Sequence, residues 1–304
     1  MAVSYPIDGR MVLVTGAARG IGAEAARRLA GRGARVALVG LEPEELERVA
    51  AQCGPDAAWF EADVTDADAI GAAVAGAVER FGGLDAVVAN AGIAANGLLG
   101  YTDPVVFDRV VEVNLLGSYR TIRAALPHVT ERRGYVLQVA SGAAFTPVPG
   151  LSAYCASKAG VEAMCNCLRQ EVAHNGVDVG VAYFGWIETD LVTAGREAGG
   201  AFAPLRDLNR GPLARTLPVS AAGDAIVRGI ERRSSTVAAP GWIKPGMLFR
   251  AFIPRLGMRA IRGAMPRVEA AVREELEARG AEVNRPVGPG GEAAMKAVRE
   301  RGAA

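Results

Sequence analysis

Met11-Val12-Leu13-Val14-Thr15-Gly16-Ala17-Ala18-Arg19-Gly20-Ile21-Gly22 begins as a short apolar run and ends in a cluster of glycines. The run reads as a buried parallel strand, apolar on both faces. A helical pattern over residues 23–29 follows at once. Strand, glycine turn and helix in succession suggest a dinucleotide site. Glycines let the backbone approach a pyrophosphate, and the helix N-terminus offers free N–H groups and the positive end of a dipole. The spacing is G-x-x-x-G-x-G, not the common G-x-G-x-x-G, so by itself the turn is also compatible with a plain strand–helix junction.

The same rhythm continues outward. Residues 35–39 form a second apolar run ending at Gly40-Leu41-Glu42. Residues 58–64 read as a third strand with Asp63 at its end, and 84–89 as a fourth that stops at Asn90-Ala91-Gly92. Residues 135–140 deliver Ser141, 178–183 make a sixth strand and 236–239 a seventh. Helical patterns lie between them. One runs from Asp66 to Phe81, and a long one starts at Asp103-Pro104 and holds Asn114 at its middle. A third runs from Ser220, as its cap, to Glu231. The alternation predicts an α/β Rossmann-type fold, a doubly wound parallel seven-stranded sheet with helices on both faces. Ligands then lie beyond the carboxyl ends of the strands, where Gly16, Asp63 and Asn90 fall. Asn114 is a mediocre helix former; it marks a solvated face or bonds a water or backbone carbonyl near the site.

In NAD-binding folds an acidic residue at the end of the second strand accepts the adenosine ribose hydroxyls. Gly40 holds that position here and carries no charge to repel a 2′-phosphate, which Arg19 could reach. Glu42 either turns back to the ribose or caps the helix that Pro43 starts. The expected cofactor is NADP or NAD, with a lean to NADP.

Ser152-Ala153-Tyr154-Cys155-Ala156-Ser157-Lys158 carries the chemistry. Tyr154 and Lys158 are four apart and share one helix face. A phenol with a pKa near ~10 is a poor base at neutral pH. An ammonium about 4 Å away favours phenolate by roughly 4 kcal/mol at an effective dielectric of about 20. At about 1.4 kcal/mol per pKa unit, Lys158 is expected to pull Tyr154 to roughly 7. A tyrosine poised there moves a proton to or from an alcohol oxygen. Ser141, thirteen positions upstream, would donate a hydrogen bond to the same oxygen as charge develops. Alone, Tyr-x-x-x-Lys is more often a surface helical pair.

Together, Thr15-Gly16-x-x-x-Gly20-x-Gly22, Asp63-Val64, Asn90-Ala91-Gly92, Asn114, Ser141 and Tyr154-x-x-x-Lys158 resemble, in order and separation, the short-chain dehydrogenase/reductase family over residues 8–240. The resemblance implies an NAD(P)-dependent oxidoreductase acting on CH–OH or C=O groups. It implies Tyr154 as general acid/base, Ser141 orienting the substrate oxygen, and Lys158 lowering the tyrosine pKa while holding the nicotinamide ribose. Asn114 would position a water linking Lys158 to solvent. Gly16, Arg19, Gly20, Ile21 and Gly22 would bind the cofactor at the glycine turn, and Asp63 and Val64 would contact adenine. Asn90, Ala91 and Gly92 would support the sheet beside the cofactor. Ile187 would offer its backbone and Thr189 its hydroxyl to the carboxamide. Phe184 stands where the family usually has proline, which puts the loop path there in question. Homodimers or homotetramers are common in the family, through the helices that carry Asn114 and Tyr154.

Residues 190–218 have many glycines, prolines and arginines and no clear period, which beside an active site reads as a substrate lid. Leu191, Val192, Phe202, Leu205 and Leu208, with Phe145, Pro147, Val148 and Leu151 opposite, suggest a hydrophobic small-molecule substrate, or simply pack the lid on the body. Residues 1–240 are expected as one dinucleotide-binding and catalytic domain, and 241–304 as a mainly helical C-terminal extension. From Trp242 to Val268 basic and apolar residues interleave without one acid. Such a segment makes weak contact with an anionic membrane surface, or covers its own domain or a partner subunit. Pro245, Pro254 and Gly257 interrupt any long helix and favour the second. Residues 267–280 read as a charged exposed helix and 286–304 as disordered.

A formal net charge of +1 gives no reason to expect a nucleic-acid partner. Residues 1–10 have no apolar run and no stretch approaches the roughly 18 apolar residues of a spanning helix, so neither leader nor anchor is expected. Cys165 and Cys167 point to different helix faces and suit neither a disulfide nor a metal, so reduced thiols in a cytoplasmic protein are expected of the four cysteines. Two other readings stay open. One is a catalytically silent dinucleotide-binding regulatory or scaffold protein; the other is a membrane-peripheral reductase of lipid-like substrates.

Overall fold

The structure is a computed structural model and describes residues 5–198, 200–206, 215–256, 258–280 and 285–302. Seven parallel strands form one sheet: β1 (Met11–Thr15), β2 (Arg35–Gly40), β3 (Ala57–Glu61), β4 (Ala86–Ala89), β5 (Tyr135–Val139), β6 (Asp178–Phe184) and β7 (Thr236–Ala239). Their order is β3-β2-β1-β4-β5-β6-β7, so the winding reverses between β1 and β4. A crevice opens at that switch point, beyond the carboxyl ends of both strands.

The helices follow in chain order. They are α1 (Gly20–Ala30), α2 (Pro43–Cys53), α3 (Ala67–Phe81), α4 (Pro104–Val111), α5 (Gly117–Glu131) and α6 (Ser152–Val172). Then come α7 (Asp190–Ala198), the single turn α8 (Ala203–Arg206) and α9 (Val219–Glu231). After β7 come the short α10 (Ile243–Gly246) and α11 (Ile253–Leu256), then α12 (Met258–Arg279) and α13 (Gly288–Gly302). Successive strand residues point to opposite faces, so the sheet carries two apolar layers. Leu13, Val39, Val87 and Val136 pack on α3, α4, α5 and α6 through Ile70, Val110, Ile122 and Val161. Val12, Leu38, Val88 and Leu137 pack on α1, α2 and α9 through Leu29, Leu46 and Ile226.

Helix starts follow local chemistry. Asp66 caps α3 by accepting from the N–H groups of Asp68 and Ala69, and Asp103 caps α4 by accepting from Val105. Ser220 does not cap α9, which starts one residue earlier with Pro218 at the cap and no side-chain bond. The long helix expected from Asp103 is not continuous. A π turn over Glu112–Leu116 joins α4 to α5 and holds Asn114.

The described part of the expected lid is helical over α7, a 3-10 turn at Gly200–Phe202 and α8, then extended where Leu217 bridges Ile187; Leu208 lies outside the described residues. Residues after β7 differ from expectation in two places. Helix α12 is longer than residues 267–280 and buries Val268 and Val272 against Ala201. Over the described part of 286–304 the expected disorder gives way to α13, with Ala294 only 2% exposed; residues 303 and 304 lie outside the described residues. Alanine and glycine let this segment pack closely enough to be buried. Among the described residues no helix is long and apolar enough to cross a membrane.

Candidate active site

One cleft, with a cavity volume of about 230 Å³, runs along the carboxyl ends of the strands. Its walls include Gly16, Arg19, Gly20, Ile21, Asp63, Val64, Asn90, Ala91, Gly92, Ser141, Tyr154, Lys158, Ile187 and Thr189. Of the residues singled out in the sequence, Gly22 and Asn114 stand one layer behind it.

The glycine turn is shaped for close approach. Gly16 adopts φ +63°, and a Cβ on it would lie 2.8 Å from the Ala91 Cα. A Cβ on Gly22 would lie 2.2 Å from the Gly16 carbonyl oxygen. Arg19 at the cap of α1 makes no side-chain bond to the first-turn N–H groups. That leaves bare backbone donors at a helix N-terminus, a cradle that fits a dinucleotide pyrophosphate. Asn90 stitches the two switch-point strands together: its Nδ2 donates to the Thr15 carbonyl at 2.9 Å, and its N–H donates to Thr15 Oγ1 at 3.0 Å.

At the β3 end of the cleft, where adenosine is expected, Asp63 lies just past β3. It accepts from the Thr65 N–H and hydroxyl at 2.9 and 2.8 Å and from Arg109 Nη2 at 3.1 Å. Burial pushes its carboxyl up, but the Thr65 bonds and the Arg109 guanidinium outweigh it and hold the pKa below the usual range. Glu42 occupies the cap position of α2 but makes no cap bond; its carboxylate pairs with Arg19 instead, with Nε at 3.2 Å. Arg19 also reaches Asp190 at 3.4 Å.

At the other end of the cleft the sequence expectation for the tyrosine needs correction. The Ser141 side chain meets the Tyr154 phenol, whereas the sequence placed its hydrogen bond on the substrate oxygen; its Oγ also donates to the Phe184 carbonyl at 3.5 Å and accepts from the Ala143 N–H at 3.1 Å. Lys158, however, donates to the Val139 carbonyl at 3.0 Å, and its Nζ is 5.6 Å from the Tyr154 ring centroid. Burial raises the Tyr154 pKa, the Ser141 bond lowers it in part, and Cys155 adds to the rise. Burial also lowers Lys158 to about 8. Asn114 is fully buried and its side chain is committed. Its Oδ1 accepts from the Ile93 N–H at 2.8 Å, while Nδ2 donates to the Ile93 carbonyl at 2.9 Å and to Ser157 Oγ at 3.0 Å. Its carbonyl accepts from Ser118 Oγ at 2.7 Å. This is the backbone-carbonyl role, and it fixes Ile93 beside the cofactor groove. A Cβ on Gly92 would lie 3.2 Å from Asn114 Oδ1 and 3.3 Å from Lys158 Nζ, so both abut this glycine.

Phe184 ends β6, buried, and lines the cleft with Ile187, Leu191 and Val192. Thr189 bends back on the Ile187 carbonyl at 3.4 Å. Phe145 is not a cleft wall. It is buried against Tyr183, ring centroids 6.0 Å apart, and Pro147, Val148 and Leu151 do not line the cleft either. Phe202 and Leu205 pack beside Val268 and Val272, so they join residues 200–206 to α12. The sequence reading missed one wall altogether: Val287, Gly288, Pro289, Gly290, Gly291, Ala293 and Ala294 border the same cleft. Gly288-Pro289-Gly290-Gly291 is a turn-forming sequence inside a segment expected to be disordered, and that turn was the signal.

A family model for short chain dehydrogenases matches residues 10–199. The chain is 32% identical over 266 residues to 11-beta-hydroxysteroid dehydrogenase 1A of Arabidopsis thaliana, covering 83% of this chain and 74% of that one. It is 36% identical over 192 residues to versicolorin reductase stcU of Emericella nidulans, covering 62% and 73%. Among solved structures, a 3-ketoacyl-(acyl-carrier-protein) reductase from Brucella melitensis complexed with NADH aligns with a TM-score of 0.70 and 31% identity, over 77% of this chain and 97% of that one. With the sheet order, the glycine cradle and the serine–tyrosine contact already in place, these matches show that the chain belongs to the short-chain dehydrogenase family, as an NAD(P)-dependent oxidoreductase acting on CH–OH or C=O groups.

Proposed function

We propose that the chain reduces the carbonyl of a hydrophobic small molecule, with Tyr154 as the proton donor. The observation that carries this is the Ser141–Tyr154 contact at the cleft wall, flanked by apolar Phe184, Ile187, Leu191 and Val192. The bound nicotinamide supplies the hydride. Burial keeps Tyr154 protonated at neutral pH, which suits donation to a developing alkoxide better than abstraction from an alcohol. Ser141 orients the substrate oxygen. Lys158, anchored on the Val139 carbonyl, holds its charge behind the tyrosine and beside Gly92. Tyr154→Phe should cut turnover by the roughly 10²–10⁴ of general acid–base catalysis while leaving the Kd for NADH or NADPH unchanged. Retained turnover with ketone substrates would remove the tyrosine from the mechanism. Cofactor binding without turnover on a broad panel of hydrophobic ketones would favour the silent scaffold reading.

The Arg19–Glu42 pair supports NAD over the NADP suggested by the sequence. A 2′-phosphate must take Arg19 from Glu42 and lie beside its carboxylate, whereas ribose hydroxyls donate to that carboxylate. Glu42→Ala should shift preference towards NADPH, read as the ratio of the two kcat/KM values. Homo-oligomerisation through the surface carrying Leu116 and Tyr119, 43% and 49% exposed, is testable by light scattering of a double serine variant.

A second reading, contact with an anionic membrane surface, is favoured by the exposed side chains after β7. Leu248, Phe249 and Phe252 are 81%, 62% and 59% exposed, in a segment with no acid between Trp242 and Val268. Co-sedimentation with phosphatidylserine vesicles, lost on substituting these three by serine, is the expected result; equal behaviour of wild type and variant would end this reading.

A further inference from the structure

We infer that residues 285–302 form a strap that closes over the bound dinucleotide and must move for it to enter and leave. The inference rests on the dinucleotide site described above. The strap is fixed to one side of the cleft by backbone. Pro286 pairs antiparallel with Ala95, and the Val287 N–H donates to the Ala94 carbonyl at 2.8 Å, in the segment that follows β4. It meets the opposite side at α7. A Cβ on Gly288 would lie 3.4 Å from the Asp190 carbonyl oxygen, and one on Gly195 would lie 3.8 Å from Val287 Cγ2. The segment therefore bridges both banks of the cleft.

A third tie couples it to the adenosine end. Arg109, 3% exposed, shares its Nη2 between Asp63 at 3.1 Å and the Ala294 carbonyl of α13 at 3.0 Å. One buried guanidinium thus holds both a cofactor-contact carboxylate and the strap. The strap's cleft-facing residues from Gly288 to Ala294 are glycine, proline and alanine, which cover the cleft without filling it. Gly291 is needed for the tight fold-back, since a Cβ there would lie 2.7 Å from the Pro286 carbonyl carbon. Opening it breaks the Val287–Ala94 and Arg109–Ala294 hydrogen bonds among its other contacts, none of which is a bond of the sheet.

The test is a reversible lock on the full chain. Antiparallel partners lie about 4.5–5.5 Å apart at Cα, within the span of a disulfide. The double variant Ala95→Cys, Pro286→Cys is oxidised, the bridge confirmed by mass, and NADH and NADPH binding and release followed by stopped-flow fluorescence. Both rates should fall at least tenfold when bridged and recover on reduction, with Kd changed little. Unchanged rates in the bridged protein would overturn the inference. So would a bridged protein that no longer binds cofactor at all, because the segment would then be an occupant that competes for the cleft. In a chain without the bridge, Gly291→Ala should speed release severalfold by loosening the fold-back, and an unchanged release rate would also refute the strap. A wild-type chain that binds neither cofactor would overturn the dinucleotide site itself, and the strap with it.

Discussion

Lys158→Met should make the fold more stable while removing its function. Lys158 is 3% exposed, and the bond that anchors its ammonium is the one to the Val139 carbonyl at 3.0 Å. Burial lowers its pKa from 10.5 to about 8. The unfolded chain therefore holds this proton to higher pH than the folded one does. Between about 8 and 10.5 the unfolded state binds more protons, and stability rises with pH. Below that window the lysine is charged in both states and its burial destabilises the fold by about 3 kcal/mol, at roughly 1.4 kcal/mol per pH unit. Methionine keeps the apolar stem and removes the charge, losing a hydrogen bond of about 1 kcal/mol. The net expectation is about 2 kcal/mol of added stability at pH 7, gone by about pH 10.5. Urea unfolding of both proteins at pH 7, 8.5 and 10 measures it, with turnover assayed in parallel. A variant less stable than wild type at pH 7, or a difference that does not vary with pH, would refute the reasoning.

Gly22→Ala places a Cβ 2.2 Å from the Gly16 carbonyl oxygen, so it should destabilise by about 1–3 kcal/mol and weaken NADH binding at least tenfold, read by thermal melts with and without NADH. Gly71→Ala in α3 meets nothing within 4 Å and should add about 0.5–1 kcal/mol, with cofactor affinity unchanged. Asp63→Asn breaks the buried pair with Arg109 and should lose about 3 kcal/mol at neutral pH. Because the folded carboxyl is held below its ordinary value, that loss should be full above about pH 4 and shrink as the pH falls through the lower folded value, which urea unfolding at pH 7 and 3 would show.

Much of this was legible because of the burial pattern. Parallel strands are apolar on both faces, so Met11–Thr15 and Tyr135–Val139 stand out as runs, and each delivers a site residue at its end. Tyr154 and Lys158 share a helix face by simple periodicity. That periodicity does not say where a lysine side chain will terminate, and the Val139 carbonyl, on a strand distant in sequence, decided it. Phe145 looked like a pocket wall, but packing against Tyr183 takes it into the core. Helix α13 was hidden because its glycines predict a break, while in the fold they permit close contact with Pro286 and Asp190.

The π turn at Asn114 has a consequence for what this helix tolerates. Buried pairs recur at 109/110, 113/114, 117/118 and 121/122, every four residues. A regular helix advances about 100° per residue, so a four-residue repeat drifts about 40° per turn. The wider turn over Glu112–Leu116 absorbs that drift and keeps one stripe on the sheet. Conservative exchanges along the stripe leave its phase alone. Deleting a single residue between 117 and 121, in the regular helix past the wide turn, would preserve nearly all the composition yet rotate every later side chain by about 100°, turning Thr121, Ile122 and Ala125 away from the sheet. In this element length, more than residue type, is what the fold cannot vary.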